Sequence, residues 1–245
     1  MQADDTATVM GVLADGEIEL VGRLIGSTNN ALLCRVTLPC PAPEPPIVVD
    51  AVYKPTLGER PLDDFPDGTL AHREVAAFAV SEATGWGIVP PTVLRDGPFG
   101  PGMVQRWIDV DPSVDVVAMV VDDDPRLRPI AALDAILNNT DRKGGHLLPV
   151  PGGRVLGVDH GVCFSPVPKL RTVLWGWRGE RFDDDELAVL RSVRAALDGR
   201  LGEVLGGLLA PVEVSSTVRR VDRLLATGRF PQPNRSWPAI PWPPF

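Results

Sequence analysis

The sequence predicts an α+β protein with two lobes, a β-rich N-terminal lobe and a mainly helical C-terminal lobe. Short apolar segments rich in β-branched residues, separated by turns of Pro, Gly and Asn, fill residues 1–108 and are typical of an antiparallel sheet. Longer segments, in which apolar residues recur at helical spacing, dominate residues 109–245. We therefore expect the boundary between the two lobes to follow residue 108.

Five segments of the N-terminal lobe have the composition of β-strands. They are GEIELVGRLIG, ALLCRVTLP, IVVDAVYKP, IVPPTVLRD and GMVQRWIDV. One helix, TLAHREVAAFAVSEAT, follows the third strand, and Thr69 is in a suitable position to cap its first turn. The predicted arrangement is a small antiparallel sheet with a single helix inserted after its third strand.

The C-terminal lobe is predicted to be built mainly from helices. The segments DPSVDVVAMVVDDDP and LRPIAALDAILNN are expected to be helical, although Asp134 interrupts the apolar character of the second. HLLPV and RVLGVDHGVCF predict a hairpin, and further helices are expected over DDDELAVLRSVRAALDGRLGEVLGGLL and SSTVRRVDRLLATGRF. The tail PQPNRSWPAIPWPPF is expected to pack as an irregular strap; a docking segment for another protein is the alternative.

The overall composition excludes several classes of partner. The chain of 245 residues carries a formal net charge of -8, so nucleic acid and anionic membrane surfaces are poor default partners. Its apolar segments are too short to span a membrane, and the acidic N-terminus lacks the layout of a signal peptide. Cys34, Cys40 and Cys163 have no metal-type spacing and are expected to be reduced. These features predict a cytoplasmic protein without stable membrane insertion; they predict no oligomeric state.

Rare polar residues are concentrated in a few short segments. The 24 basic residues include only three lysines, Lys54, Lys143 and Lys169, and the chain has three histidines. The segment LNNTDRKGGHLL places two Asn, an Asp, an Arg, a Lys and a His directly after an apolar helix. Such crowding of scarce polar types indicates a functional site more readily than general solvation.

A two-lobed chain with such a segment favours phosphoryl transfer, which requires a phosphate-binding loop, a cation held by an acid, a carboxylate for the hydroxyl acceptor and two metal ligands. The turn GSTNN lies between two predicted strands and can bind phosphate through hydroxyl, amide and backbone N–H groups, although an ordinary hairpin turn is the alternative. Lys54 ends a strand of buried type, and Glu74 lies in the first turns of the next helix. Once desolvated, these two charges are expected to form an ion pair.

The remaining parts come from the C-terminal lobe. Asp141 can accept or orient the proton of an incoming hydroxyl, and Arg142 is expected to steady either Asp141 or the transferred phosphate. Asp159 follows an apolar strand and is a candidate metal ligand, with His146 as the second ligand. Because imidazole prefers softer ions than Mg²⁺, this pair favours Mn²⁺. His160 is expected to be a structural hydrogen-bonding residue.

The motifs NTDR and VDHG, in this order, resemble the catalytic and metal-binding motifs of the phosphatidylinositol 3-/4-kinase-like superfamily. The nearest resemblance is to the type II phosphatidylinositol 4-kinases, which carry NTDR and IDNG. VYKP resembles their lysine strand, and REVAAFAVSEATGWGIVPPTVL resembles the following helix and strand. Over roughly residues 10–230 the chain is also similar to a small actinobacterial branch of that superfamily, which shares GERPL, DFPDGTL, GPGMVQ and LRTVLWGW.

This resemblance implies a bilobal protein-kinase-like fold and a role for each matched residue. Ser27, Thr28 and Asn29 would lie over the phosphates of ATP, Lys54 would contact those phosphates, and Glu74 would hold Lys54. MVQRWI, with Gln105 and Trp107, would be the hinge beside adenine. Asp141 would be the catalytic acid or base and Asp159 a metal ligand. His146 stands where the family usually has Asn, which puts the metal preference and the rate in question.

The predicted function is ATP-dependent transfer of the γ-phosphate to a hydroxyl group, with Mg²⁺ or Mn²⁺ as the second cofactor. The acceptor is left open between protein Ser or Thr, including autophosphorylation, and a lipid or small-molecule alcohol. A non-catalytic ATP-binding regulator is the main alternative, because His146 departs from the pattern of the family.

Overall fold

The computed structural model describes residues 5–24 and 30–245. The chain divides into two compact units: Met1–Val75 with Pro90–Ile108, and Ala76–Val89 with Asp109–Phe245. Residues 76–89 had been expected in the N-terminal lobe, and the structure groups them with the second unit. Hydrogen bonds explain this grouping, because Gly157 N–H donates to the Ile88 carbonyl at 3.0 Å and the Arg154 side chain donates to the Gly87 carbonyl at 2.7 Å.

The first unit is built around an antiparallel sheet with the strand order β1-β2-β3-β5-β4. Its strands are β1 Glu17–Arg23, β2 Leu32–Leu38, β3 Ile47–Pro55, β4 Thr92–Gly97 and β5 Gly100–Arg106. Helix α2 (Leu70–Thr84) follows β3, as predicted. β4 begins after the two prolines of IVPPTVLRD, because a proline has no N–H to donate to a sheet.

Helix α1 (Thr6–Asp15) precedes the sheet and was not predicted. The Asp5 side chain accepts the N–H of Thr8 and so caps its first turn. Val9, Val12 and Leu13 are fully buried, in one core with inward-facing residues of the sheet. The segment between α1 and the sheet is short, and the helix covers apolar surface that the alternating strands leave on one face.

Helix α2 begins differently from the sequence prediction. Glu59, in the long loop after β3, accepts the N–H groups of Leu70 and Ala71 at 3.1 and 2.9 Å. The hydroxyl of Thr69, the predicted cap, donates to the Pro66 carbonyl instead. A carboxylate at this end of a helix also interacts favourably with the helix dipole, so the loop fixes the direction in which α2 leaves the sheet.

The second unit is mainly helical. Its elements are α3 Val116–Val121, α4 Arg128–Leu137, α5 Asp184–Leu197, α6 Arg200–Leu208 and α7 Pro211–Thr227, with a hairpin of β6 Leu147–Pro149 and β7 Val155–Gly157. Two single-turn 3₁₀ helices lie at Pro125–Leu127 and Gly144–His146. The α+β class predicted from the sequence is confirmed.

Helix α7 is longer than predicted and begins at Pro211 instead of Ser215. Pro211 occupies a first-turn position, where its missing N–H costs no intrahelical hydrogen bond. Glu213 accepts the N–H of Ala210 at 2.9 Å and stabilises the same turn. α3 is shorter than predicted because Asp115 caps it at Val117 and Ala118.

The tail from residue 231 onward is irregular and packs on the second unit, as expected for a strap. The Ala239 carbonyl accepts hydrogen bonds from Thr172 N–H and from the indole of Trp175. The Pro244 carbonyl accepts the N–H of Gly144 at 2.8 Å. None of the helices in the described ranges 5–24 and 30–245 has the length and apolar character needed to cross a membrane.

Candidate active site

In the first unit, Lys54 and Glu74 form the predicted ion pair. Strand β3 buries Ala51, Tyr53 and Pro55 on one face, so Lys54 projects from the other. Its Nζ lies 2.7 Å from Glu74 Oε1. The Glu74 side chain is only 2% exposed, whereas 21% of the Lys54 side chain remains exposed. The carboxylate therefore anchors a cation that still reaches solvent.

The predicted adenine-binding hinge is partly occupied by structural contacts. Gln105 lies in β5, between β3 and β4, is 4% exposed and donates from Nε2 to the Thr92 hydroxyl at 2.8 Å. Trp107 lies just past the strand, with its N–H bonded to the Asp50 carbonyl and 36% of the residue exposed. One N–H of the Gln105 amide is thus committed to Thr92, whereas Trp107 is partly exposed. Ser27, Thr28 and Asn29 lie outside the described residues.

In the second unit, the loop that carries Asp141 starts at the end of helix α4. Asn138 ends α4 in the left-handed conformation, with a φ of 54°. Its amide donates to the carbonyls of Ser165 and Val167 at 2.9 and 2.8 Å, which fixes the turn. Asn139 then accepts the N–H of Asp141 at 3.0 Å. Two consecutive buried asparagines thus set the backbone position of the Asp141 carboxylate.

Arg142 is buried and does not contact Asp141 in the way the sequence suggested. Its side chain is 0% exposed, and its Nε and Nη2 bind Asp134 Oδ2 and Oδ1, each at 2.9 Å. Its Nη1 donates to the backbone carbonyls of His146 (3.3 Å) and Val158 (2.9 Å). Complete burial removes Arg142 from the transferred phosphate. It is a positioning residue that holds the backbone at His146 and just before Asp159.

The buried arrangement around Arg142 extends to His160. Arg142 Nη2 lies 2.6 Å from His160 Nε2. Because a guanidinium can only donate, His160 Nε2 accepts and the imidazole is neutral with its proton on Nδ1. The predicted structural role of His160 as a hydrogen-bonding residue is confirmed. Burial is the largest single influence on the pKa of the Arg142 guanidinium and lowers it. The charge and hydrogen bonds of Asp134 act in the opposite direction, and the net pKa is raised.

Asp141 and Lys143 form a partly exposed pair on this loop. Lys143 Nζ lies 3.2 Å from Asp141 Oδ2, and the two side chains are 24% and 33% exposed. A carboxylate in this setting can accept a proton, and the adjacent ammonium can contact an anion. Lys143 was not predicted as a site residue, although the scarcity of lysine in the chain and its position two residues after Asp141 were the available signals.

His146 and Asp159, the predicted metal ligands, lie next to each other. Their Nε2 and Oδ2 atoms are 3.3 Å apart. Backbone contacts fix both positions: Val158 N–H donates to the His146 carbonyl at 3.1 Å, and β6 pairs with β7 directly after His146. Asp159 also has a positive φ of 62°, a conformation that is sparsely populated outside glycine and clusters at functional sites.

Burial controls the protonation of His146. Desolvation lowers the pKa of this imidazole, while the nearby charge of Asp159 acts in the opposite direction. The charge of Asp141 acts in the same direction as that of Asp159, but the net pKa of His146 is lowered. At neutral pH the ring is therefore uncharged, which is the form that binds a metal ion. Without a metal ion, the proton on Nε2 accounts for the contact with Asp159.

The donor set fits a divalent ion that is also bound by a nucleotide. Within residues 5–24 and 30–245, no cluster of three or more His, Cys, Asp or Glu side chains could form a metal site by itself. Mg²⁺ and similar ions in phosphate-transferring proteins are held by one or two side chains, together with phosphate oxygens and water. One imidazole and one carboxylate suit that type of site. If Nε2 binds the ion, the proton moves to Nδ1, and the 3.5 Å contact from Lys143 N–H to Nδ1 is released.

Comparison with known proteins agrees with this architecture. No family model matches the chain. The crystal structure of the Helicobacter pylori proinflammatory kinase CtkA is similar, with a TM-score of 0.51 and 11% identity, over 89% of this chain and 94% of that chain. At such low identity the similarity concerns the fold alone, and it confirms the predicted kinase-like fold.

A curated sequence relative is much closer. Protein Rv2133c of Mycobacterium tuberculosis is 42% identical over 269 aligned positions, which cover 96% of this chain and 94% of that protein. Identity at this level along nearly the full length of both chains shows common family membership. The chain therefore belongs to the family of Mycobacterium tuberculosis protein Rv2133c.

Proposed function

We propose that this protein is an ATP-dependent phosphotransferase of the phosphatidylinositol 3-/4-kinase-like type that transfers the γ-phosphate to a hydroxyl group. The observation that carries the proposal is the arrangement of the second unit. There one loop and the hairpin after it carry two pairs, the partly exposed Asp141–Lys143 and His146–Asp159. Buried Arg142 holds this backbone at the carbonyls of His146 and Val158. The kinase-like fold and the order of the NTDR and VDHG motifs support it.

Lys54 is proposed to neutralise the phosphates of ATP. Glu74 is buried and holds the ammonium by a hydrogen bond of 2.7 Å, so little side-chain freedom is lost when a phosphate arrives. The same pairing of a strand lysine with a helix glutamate is a recurrent part of kinase sites. Trp107, at the end of β5, is proposed to contact adenine.

Asp141 is proposed to orient the acceptor hydroxyl and to receive its proton. The loop fixes the Asp141 backbone through Asn139, while its carboxylate remains a third exposed. Lys143 holds Asp141 Oδ2 and lies where it can offset negative charge that develops on the transferred group. The acceptor class remains a hydroxyl of a protein Ser or Thr, of this chain or another, or of a lipid or small alcohol.

His146 and Asp159 are proposed to hold Mg²⁺ or Mn²⁺. When bound, the ion would neutralise charge on the phosphate oxygens. For its part, the chain supplies a neutral imidazole, a carboxylate and a backbone that Arg142 fixes at both ligands. Cys34, Cys40 and Cys163, all within the described ranges 5–24 and 30–245, form no disulfide, which agrees with the reducing cytoplasm as the proposed location.

The test is transfer of radiolabel from γ-labelled ATP, in the presence of Mg²⁺ or Mn²⁺, to the protein itself and to a panel of Ser/Thr peptides and short-chain phosphoinositides. Asp141→Asn is expected to lower the rate by about 10²- to 10⁴-fold because general-base assistance is lost. Asp185→Asn removes one exposed carboxylate from the same unit and serves as the control. Equal rates in the two variants, or absence of transfer and hydrolysis in the unaltered protein, would overturn the proposal.

A non-catalytic ATP-binding regulator is the second candidate. It is favoured by the contact of His146 with Asp159, which satisfies both side chains without a metal ion. This alternative predicts that ATP raises the unfolding temperature without turnover and that the rise is the same in the presence of EDTA. A rise that requires the divalent ion and is lost in Asp159→Asn supports the catalytic proposal instead.

A further inference from the structure

A cavity in the second unit, apart from the residues assigned to phosphoryl transfer, carries an unusual concentration of positive charge. Its volume is about 290 Å³, and it lies among α4, α7, residues 166–170 and the start of the tail. Arg219, Arg220 and Arg223, all on α7, line it. Three guanidinium groups around one cavity are unexpected in a chain whose net charge is -8.

The spacing of these arginines brings like charges together. Arg219 and Arg223 are four residues apart and therefore lie on the same side of α7, where like charges repel each other. Arg220 adjoins them and is partly buried. A helix surface selected only for solubility would interleave acids at these positions. Repulsion among these three arginines, which together we call the α7 arginine pocket, therefore destabilises the folded chain when no ligand is bound.

The hydrogen bonds of Arg219 and Arg220 go to neutral groups, which do not offset that repulsion. Arg219 donates to the Ser216 hydroxyl at 2.7 Å, a neutral partner. Arg220 donates to the backbone carbonyls of Ile136 and Ser165 at 2.8 and 3.0 Å, which are also neutral. The adjacent acid of α7, Asp222, pairs with Arg194 at 2.6 Å and is directed to another helix.

The protonation of Arg220 reflects this environment. Burial, together with the charges of Arg223 and Arg219, lowers the pKa of its guanidinium to about 10. Only the Cys163 thiol acts in the opposite direction. Arg220 remains charged at neutral pH but lacks a counterion. An anion that enters the cavity would supply it.

We propose that the α7 arginine pocket binds a phosphate dianion, either free or as the monoester group of a small molecule. Guanidinium groups present N–H donors in a planar fork that matches phosphate oxygens, and three of them can engage a tetrahedral dianion more fully than a flat carboxylate. The cavity is close to the lower limit of ligand pockets, about 300 Å³, and therefore suits a small ligand.

The rest of the lining agrees with an ester that carries a few carbon atoms. Ser216, Gln232 and Asn234 add polar groups around the arginines, whereas Pro166 and Leu170 give part of the wall apolar character. Asp141, His146 and Asp159 are absent from the lining. The inference therefore does not depend on the proposed phosphotransferase activity, and either can fail without the other.

Isothermal titration calorimetry of the full chain without nucleotide tests the proposal, with inorganic phosphate and glycerol 3-phosphate as separate probes at constant ionic strength. Saturable binding of either probe is expected, and the stronger one identifies the source of the phosphate group. Arg219→Gln with Arg223→Gln should weaken binding by about tenfold or more, because charge-assisted hydrogen bonds are lost. Both side chains are exposed, so the fold should survive.

The matched control is Arg191→Gln with Arg200→Gln, which changes the net charge equally on exposed residues of α5 and α6. Its affinity should stay within about twofold of the unaltered protein, since surface charges outside the pocket are screened by salt. If the pocket double variant unfolds at a lower temperature than the control, Arg223→Gln alone carries the comparison. Absence of saturable binding, or equal affinity in pocket and control variants, overturns the proposal.

The pH dependence separates a dianion site from a general attraction for anions. The second proton of a phosphate monoester is lost near pH 6. Affinity for glycerol 3-phosphate should rise between pH 5 and pH 7.5, while the three arginines stay charged. Methyl sulfate, a permanent monoanion, should bind more weakly at pH 7.5; equal binding of the two probes there would contradict the dianion assignment.

Discussion

Each of the two units contains an ion pair between a basic and an acidic side chain, and the exposure of the cation differs between the two pairs. Lys54 and Glu74, in the first unit, are 2.7 Å apart, and the cation is 21% exposed. Arg142 and Asp134, in the second unit, are 2.9 Å apart, and both side chains are 0% exposed. The N···O distances are nearly the same, although Arg142 makes two such contacts with Asp134; the access of solvent to the cation differs.

This difference separates a residue that can meet a ligand from one that holds the structure. The ammonium of Lys54 is held by the buried carboxylate of Glu74 and is partly exposed to solvent, so it can contact an anion. Arg142 contacts Asp134, His160 and two backbone carbonyls, and these contacts fix the loop. The sequence predicted a phosphate contact for Lys54 and left Arg142 open between Asp141 and the transferred phosphate; burial of the cation is what distinguishes the two residues.

The largest effect on stability is expected at the buried pair. Asp134→Ala leaves Arg142 charged and uncompensated in the interior, and should lower the free energy of unfolding by about 3–5 kcal/mol. Urea denaturation measures it. Asp50→Ala breaks the exposed pair Arg35–Asp50 and should cost no more than about 1 kcal/mol. Similar losses in the two variants would remove the distinction between buried and exposed pairs.

Variants of the Lys54–Glu74 pair should affect the free energy of unfolding and the affinity for ATP differently. Lys54→Met leaves Glu74 buried without this partner and should cost about 1–3 kcal/mol of unfolding free energy. Lys54→Met with Glu74→Met should recover part of that loss, because the stranded carboxylate is gone. ATP affinity, measured by calorimetry, should fall by about tenfold or more in both variants. Recovery of ATP affinity in the double variant would show that Lys54 does not contact phosphate.

A smaller effect is expected from the titration of His146. Because burial lowers its pKa in the folded protein, the unfolded chain takes up this proton more readily. The stability contribution is complete above the unfolded value of 6.5 and is lost as pH falls through the folded pKa. His146→Gln should therefore flatten the decline in unfolding free energy between pH 7.5 and pH 5. A decline of the same slope in both proteins would contradict the assignment.

The sequence predicted the α+β class, the lysine–glutamate pair and the proximity of His146 to Asp159, because strand alternation, helix spacing and short motifs are local signals. The partner of Arg142 could not be predicted in the same way. Asp134 interrupts an apolar helix and was read as an exception, whereas the structure shows that it is the counterion. The sequence also did not predict that Glu59 caps α2. Glu59 reaches the first N–H groups of the helix only because the long loop after β3 folds back.

The proposed site holds a divalent ion between the imidazole of His146, the carboxylate of Asp159 and the nucleotide. Pulsed electron paramagnetic resonance of the Mn²⁺–ADP complex, with ¹⁵N-labelled histidine in the protein, detects such a histidine ligand. We expect a ¹⁵N coupling to Mn²⁺ that disappears in His146→Gln and persists in His72→Gln. Absence of the coupling in the unaltered protein, or its persistence in His146→Gln, would rule out His146 as a ligand of the ion.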